Sequence, residues 1–180
     1  EPRGPCEVLH NPVDTDAFAP AVARQTSDGP VLLAAGSHHT FSRVQIAVDV
    51  LAELRAMWPL ARLSIAGGLR WKEQEEQAVR ELRDYVRKKD LEDRVEWIGA
   101  YSQEDAPGLL QKADVLVHAK YNDPCPRLIV EAMACGVPVA YSASGGAPEL
   151  VGADAGVGVP APIDWDNEHP ASAEAFAEAV

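Results

Sequence analysis

The sequence has no long apolar stretch and little positive charge. No apolar run in its 180 residues approaches the roughly 20 residues that a membrane-spanning helix needs, and the start shows no signal-peptide pattern. Lys and Arg number 16 against 28 Asp and Glu, and the formal net charge of −12 would repel the phosphates of nucleic acid. There is no basic amphipathic segment for an anionic lipid surface either. We therefore expect no transmembrane segment and no nucleic-acid partner.

Cysteine is also scarce, with 3 in the chain. Cys6, Cys125 and Cys135 are odd in number and form no CxxC pair, so we interpret them as reduced, as in a cytosolic protein. Cys125, near a predicted helix start, is either a reactive thiol or, more commonly for such a residue, a small packed side chain.

Several motifs of nucleotide, metal and hydrolytic chemistry are missing. Without a GxxxxGK[ST] loop the chain is no P-loop NTPase, and without GxGxxG after a strand a nicotinamide site is disfavoured. HExxH is absent and the 5 His residues form no evident ligand set, so we expect no bound metal. The GxSxG elbow of an α/β-hydrolase is absent as well.

The residues that are present suffice for a packed core, since 47% are hydrophobic and 24% charged. Short apolar runs that end at glycine alternate with longer runs of helical periodicity. The short runs predict strands at residues 31–35, 63–66, 95–98, 114–118, 137–141 and 155–159. The periodic segments predict helices at residues 43–57, 71–89, 103–112, 127–135 and 172–180.

This alternation predicts an α/β fold: a doubly wound, Rossmann-like parallel sheet of about six strands with helices on both faces. The usual strand order for six such units is 3-2-1-4-5-6, which reverses direction between strands one and four. A ligand crevice is therefore expected between loops 36–42 and 119–127. We expect residues 1–30 to be an interdomain linker and entry loop, and residues 31–180 to be the folded domain.

The segment 123–149 is the most informative part of the chain. It opens with Asp-Pro-Cys-Pro, which predicts a helix start with Asp123 as the cap. Glu131 then stands inside an otherwise apolar helix, so its carboxylate must be paired, hydrogen-bonded or exposed in a cleft. Two interpretations remain open: a structural bond to a backbone N–H or an Arg, or acceptance of hydrogen bonds from a ligand diol such as ribose.

Other candidates lie around the expected crevice. Arg127, in the first turn of that helix, and Arg43, at the start of the helix after strand one, could each contact a phosphate or be ordinary surface cations. Tyr101 could stack on a base or be an ordinary rim aromatic. Glycines that end three successive strands could admit a ligand to the backbone or simply form turns: Gly36, Gly68 and Gly99.

Taken in order, residues 11–20, 66–68, 95–99 and 123–149 resemble the C-terminal domain of retaining family-4 glycosyltransferases, which are two-domain GT-B enzymes. The most specific part is the block from Glu131 to Gly136 with the residues that follow it, namely Pro138, Gly145, Gly146 and Glu149. The resemblance implies that the donor substrate is a UDP- or GDP-linked sugar. It also implies transfer with retention, no cofactor and no required metal.

The resemblance also assigns roles to individual residues. In the family, the second of two acids eight positions apart holds the ribose hydroxyls, and that position is Glu131 here. The first acid lies near the donor sugar hydroxyls, which makes Asp123 our predicted catalytic residue. The backbone around Pro126, Arg127 and Leu128 is expected to meet the sugar and the distal phosphate, and the loop after strand three to lie near the base.

The chain departs from the family pattern at three positions. Asp123 stands where Glu is usual, and Ser37 and Ser42 stand where Arg and Lys grip the diphosphate. Arg43 lies one place late. Either Arg43 and Arg127 substitute for the missing cations or donor binding is weak, and we favour substitution. The alternatives are a degenerate GT-B-like binding module that has lost the diphosphate grip, and an unrelated doubly wound nucleotide-binding protein.

The acceptor half of a GT-B enzyme has no room in 180 residues. We interpret the chain as a donor-binding domain that is truncated at its C-terminus and lacks its own N-terminal partner domain, and we expect it to be inactive alone. We expect a cytoplasmic protein, with any peripheral membrane contact made through the absent domain.

Overall fold

The structure is a computed structural model that describes residues 4, 7, 9–22, 28–162, 164, 166–167 and 169–180. Cys6 and parts of the predicted linker at 1–30 lie outside the described residues. In chain order the strands are Val31–Ala35 (β1), Arg62–Ala66 (β2), Val95–Gly99 (β3), Val115–His118 (β4), Val139–Ala143 (β5) and Gly156–Pro160 (β6). All pairings are parallel, and the strands form one sheet in the order β3-β2-β1-β4-β5-β6. The predicted fold class and strand order are confirmed.

Helices cover both faces of this sheet, also as predicted. They are Val44–Leu54 (α1), Glu75–Arg87 (α2), Ala106–Leu110 (α3), Arg127–Ala134 (α4), Ala147–Val151 (α5) and Ala173–Ala179 (α6). Single 3₁₀ turns, Thr40–Ser42 and Glu92–Arg94, precede α1 and β3. Helix α5, five residues long with a proline in its first turn, was not predicted.

Helices α2 and α3 begin later than the sequence pattern suggested, and α1 ends at Leu54 instead of residue 57. Helix α2 begins at Glu75 instead of residue 71, because the Glu75 carboxylate folds back and accepts a hydrogen bond from the N–H of Leu69 at 3.1 Å. Helix α3 begins at Ala106 instead of residue 103, because Ser102 and Asp105 bond each other in a turn, with 2.6 Å between hydroxyl and carboxylate. Local side-chain bonds of this kind compete with helix formation.

The sheet separates two apolar cores. Successive residues of a strand point to opposite faces, so Leu32 and Ala34 of β1 belong to one core and Leu33 to the other. Helices α1, α2 and α6 pack on the first core, and α3, α4 and α5 on the second. Because both faces are covered, the strands are rich in apolar residues, and this is why they could be recognised in the sequence.

The carboxyl ends of β1 and β2 approach each other very closely at two glycines. A Cβ atom on Gly67 would lie 1.8 Å from the carbonyl oxygen of Gly36, and the φ of Gly67 is +106°. The N–H of Gly36 donates to the carbonyl of Ala66 at 3.1 Å. Only glycine fits at position 67, because any side chain would collide with the adjacent main chain. Between β1 and β4, at this same edge, the strand order reverses.

Candidate functional site

A cavity of about 160 Å³ lies where the strand order reverses. It is bounded on one side by the loop after β1 and on the other by the loop after β4 and the start of α4. We call it the switch-point cavity. Its position is the one expected for a ligand in an open α/β sheet, and it coincides with the crevice that the sequence predicted.

The loop after β1 contributes Gly36, Ser37, His38 and Ser42 to the lining. The Ser42 hydroxyl donates to the carbonyl of Ser37 at 3.2 Å and accepts from the N–H of His39 at 3.0 Å. Ser42 therefore closes the loop on itself and brings no charge to the cavity.

His38 is buried beneath the same loop, with 3% of its surface exposed. Its Nε2 lies 3.0 Å from the carbonyl oxygen of Ala66. Burial lowers the pKa of His38 below its ordinary value of 6.5, and the bond to Ala66 only partly opposes this shift. His38 is therefore neutral at neutral pH and ties the loop to the end of β2.

Arg43 lies inside the cavity wall and is only 8% exposed. Its guanidinium carbon sits 4.7 Å from the centroid of the Tyr121 ring, a favourable cation–π arrangement. The residue has a left-handed backbone, with φ of 53°, and α1 begins only at Val44. The prediction that the helix starts at Arg43 is therefore wrong by one residue. The interpretation of Arg43 as an ordinary surface cation is excluded by its burial.

Asp123 lies on the opposite wall, in the loop after β4, and is 7% exposed. One carboxylate oxygen, Oδ2, is 3.2 Å from Nε2 of His118 and 2.9 Å from Nζ of Lys120. Burial acts to raise the pKa of Asp123, but the bonds and charges of His118 and Lys120 outweigh it, so the pKa lies below its usual value.

The predicted capping role of Asp123 is wrong. The residue that caps α4 is Pro126, with extended backbone and no side-chain bond to the helix. The carboxylate of Asp123 is engaged by His118 and Lys120 in place of the first turn of α4.

The loop that carries Asp123 rests directly on the Gly145–Gly146 turn. The N–H of Gly146 donates to the carbonyl of Asp123 at 2.8 Å. A Cβ on Gly145 would lie 2.4 Å from that same oxygen, and a Cβ on Gly146 would lie 2.1 Å from the carbonyl oxygen of Pro124. These two glycines are needed because two stretches of main chain touch here.

The other end of this loop is anchored as well. The N–H of Asn122 donates to the Ser144 hydroxyl at 3.0 Å, and the Tyr121 hydroxyl donates to the carbonyl of Pro162 at 2.6 Å. Asp123 is therefore held between fixed points on both sides, as a preorganised site requires.

Glu131 lies on α4, outside the lining of the switch-point cavity, and is 5% exposed. Its Oε1 accepts from Nε2 of Gln103 at 3.0 Å and pairs with Nε of Arg127 at 3.2 Å. Arg127 in turn donates from Nη2 to Oε1 of Gln103 at 3.2 Å. Gln103 and Arg127 are both exposed, so a buried carboxylate lies under two long side chains at the surface. We call these three residues the Glu131 cluster.

Tyr101 lies beside this cluster at the end of β3. Burial, and next the charge of Glu131, raise the pKa of the Tyr101 hydroxyl above its ordinary value. Leu128 connects the two parts of the site: it lines the switch-point cavity, and it shares a helix face with Glu131 three positions later. The cavity and the Glu131 cluster are therefore adjacent along α4.

The predicted site residues thus fall into two groups. Those that line the switch-point cavity are Gly36, Ser37, Arg43, Asp123 and Leu128. Those that lie outside its lining are Gly68, Tyr101, Pro126, Arg127 and Glu131. The structure brings to the site four polar residues for which no role was predicted from the sequence: His38, His118, Lys120 and Gln103. Their only signal was a place at the carboxyl end of a predicted strand or in the segment that follows it.

The fold and this polar cavity define a doubly wound α/β domain of the ligand-binding type. Residues 18–179 match the family described as glycosyl transferases group 1, and the chain belongs to that family. The resemblance to glycosyltransferases is confirmed at this level. The alternative of an unrelated nucleotide-binding protein is excluded.

Two curated relatives illustrate the range of the family. The chain is 33% identical over 120 residues to mannosylfructose-phosphate synthase from Agrobacterium fabrum, covering 66% of this chain and 26% of the relative. It is 30% identical over 158 residues to D-inositol 3-phosphate glycosyltransferase from Mycolicibacterium smegmatis, covering 83% of this chain and 35% of the relative. The chain therefore spans about a quarter to a third of the length of these relatives.

Solved structures share the fold over nearly the whole chain. HepE from Anabaena, in complex with UDP and glucose, has 26% identity and a TM-score of 0.74, covering 96% of this chain and 45% of its own. The C-terminal domain of a glycosyl transferase group 1 protein from Francisella tularensis has 19% identity and a TM-score of 0.72, covering 93% of this chain and 85% of its own. Of the helices formed by the described residues, none combines the length and apolar composition that crossing a membrane requires.

Proposed function

We propose that this chain binds the sugar donor of a group 1 glycosyl transferase, and that the donor is a nucleoside-diphosphate sugar. The observation that carries the proposal is the Glu131 cluster, a buried carboxylate beside the switch-point cavity under two movable side chains. The complex of HepE with UDP and glucose supports the assignment of the ligand class.

The two oxygens of the Glu131 carboxylate suit the two hydroxyls of ribose, which are adjacent hydrogen-bond donors. Gln103 and Arg127 both bond this carboxylate in the structure. A ribose would displace them, and both side chains are exposed and long enough to turn into solvent. Arg127, once released, stands in the first turn of α4, where it can contact a phosphate group of the donor.

The full protein would transfer the sugar, a hexose, with retention of configuration and without a metal. Charge that develops on the departing phosphate would be stabilised by the N–H groups of the first turn of α4 and by Arg43 and Arg127. Asp123 would lie near the sugar, held by His118 and Lys120 in its ionised form. The acceptor would be bound by a partner domain of the same enzyme.

A second candidate is a binding module that has lost the diphosphate grip. The observation in its favour is the loop after β1, where Ser42 serves the loop itself and Ser37 is uncharged. The burial of Arg43 in the cavity wall argues for the first candidate, because it places a permanent cation next to both serines.

Calorimetric titration with UDP, GDP and their sugars tests the proposal. We expect one nucleotide series to bind and Glu131→Ala to abolish that binding, because the ribose loses its acceptor. Glu76→Ala, at an exposed position in the first turn of α2, is the matched control and should bind like the parent chain. A folded chain that binds none of these nucleotides at millimolar concentration would favour the degenerate module.

A further inference from the structure

We propose that Lys120 binds the diphosphate of the donor in this chain, an inference that rests on the proposed function. Lys120 follows β4 by two residues and lines the switch-point cavity opposite the loop after β1. No motif and no comparison assigns it a role. Its place in the cavity wall, its charge and its unused hydrogen-bond donors all suit an anionic ligand.

The charges around the cavity favour an anion. Among the described residues that line it, the permanent cations are Arg43 and Lys120, and the carboxylate is that of Asp123. Two permanent cations against one carboxylate give the lining one excess positive charge, although the chain as a whole carries −12. The positive potential of such a cavity attracts an anionic ligand, even though the chain as a whole is strongly acidic.

Lys120 is better placed than Arg43 to contact such a ligand. Arg43 is packed against Tyr121 and only 8% exposed. The Lys120 side chain is 32% exposed, and its Nζ lies 5.6 Å from the centroid of the Phe41 ring on the loop after β1. Its ammonium group therefore already stands between the two loops that enclose the cavity.

The ion pair with Asp123 leaves Lys120 free to bind a second group. An ammonium has three donors, and the contact to Oδ2 of Asp123 at 2.9 Å takes one of them. The same oxygen is also held by His118, so Asp123 keeps a partner if Lys120 shifts. Lys120 can thus bridge phosphate oxygens and the carboxylate that is predicted to lie near the sugar.

The test compares the nucleoside diphosphate that binds, UDP or GDP, with its own nucleoside, uridine or guanosine. In Lys120→Met we expect the diphosphate to bind roughly tenfold to hundredfold more weakly, the loss of one charge-assisted bond, and the nucleoside to bind unchanged. Lys120→Arg should retain most of the affinity. Lys112→Met, an exposed lysine that lines a separate groove, is the matched control and should bind both ligands like the parent chain.

Equal weakening of the diphosphate and the nucleoside in Lys120→Met would assign Lys120 a structural role and overturn the inference. Unchanged binding of both would also overturn it, while leaving the proposed function intact. A parent chain that is folded by circular dichroism but binds no nucleoside diphosphate would refute the proposed function and the inference together.

Discussion

Replacement of Gly146 by alanine should shift the loop that carries Asp123. The added Cβ would lie 2.1 Å from the carbonyl oxygen of Pro124 and 3.0 Å from its carbonyl carbon. Both atoms belong to main chain, so no side chain can rotate out of the way. The backbone of Gly146 itself has φ of −94°, which alanine adopts without strain. Any change in stability on this substitution therefore reports on the close contact and not on backbone strain.

The expected cost follows from the size of this overlap. Overpacking in a well-packed region costs about 1–3 kcal/mol in the free energy of unfolding, and each kcal/mol lowers the melting temperature of a chain this long by about 2–4 °C. The hydrogen bond from residue 146 to the carbonyl of Asp123 is donated by the backbone N–H, which alanine keeps. On the proposed function, a displacement on the order of 1 Å at Asp123 would lower turnover by on the order of 100-fold.

Urea unfolding and thermal melting of Gly146→Ala measure the cost, and Gly108→Ala is the matched control. Gly108 lies inside α3, and a Cβ there would meet nothing within 4 Å. The same chemical change at this position should stabilise the chain by roughly 0.5–1 kcal/mol, because glycine is unfavourable in a helix. If Gly146→Ala were as stable as the parent chain, the loop would not be held by this contact.

Two further predictions concern the carboxylates of the site. Asp123→Asn should lower the free energy of unfolding at neutral pH, because the pKa of Asp123 is depressed on folding and the carboxylate stabilises the folded chain above the ordinary value of 3.8. The difference in stability between the variant and the parent chain should shrink as the pH falls through the lower pKa of the folded state. Urea unfolding along a pH series would contradict this if that difference stayed constant. Gln103→Ala should tighten binding of the nucleoside diphosphate by up to about tenfold, because it removes a hydrogen bond to Glu131 that competes with the proposed ribose contact. Weaker binding of the variant in calorimetry would instead indicate that Gln103 contacts the ligand.

Much of the fold could be predicted because both of its governing patterns are local. The strands are short runs rich in apolar residues, and α1 and α2 show their periodicity in consecutive residues. Helix α5 was not predicted because it begins directly after the Gly145–Gly146 turn and has a proline in its first turn. The starts of α2 and α3 were misplaced because single side-chain bonds, from Glu75 and Asp105, decide them.

The location of the crevice was predictable from topology, but its chemistry was only partly so. The position of Asp123 in the crevice loop followed from strand order, whereas its partners His118 and Lys120 carried no motif. The predicted cap failed because the carboxylate turned back toward β4. Gln103 lies in the loop before α3 and Glu131 lies on α4, 28 positions later, so no local sequence pattern predicts their contact.

The contact between Gly36 and Gly67 has a consequence for how this family evolves. A descendant that bound no ligand at this edge could still not replace Gly67, because the obstacle is its own neighbouring main chain. Persistence of that glycine along a lineage therefore records inherited architecture. The chemistry proposed above would be tracked instead by the side chains at positions 43, 120 and 131.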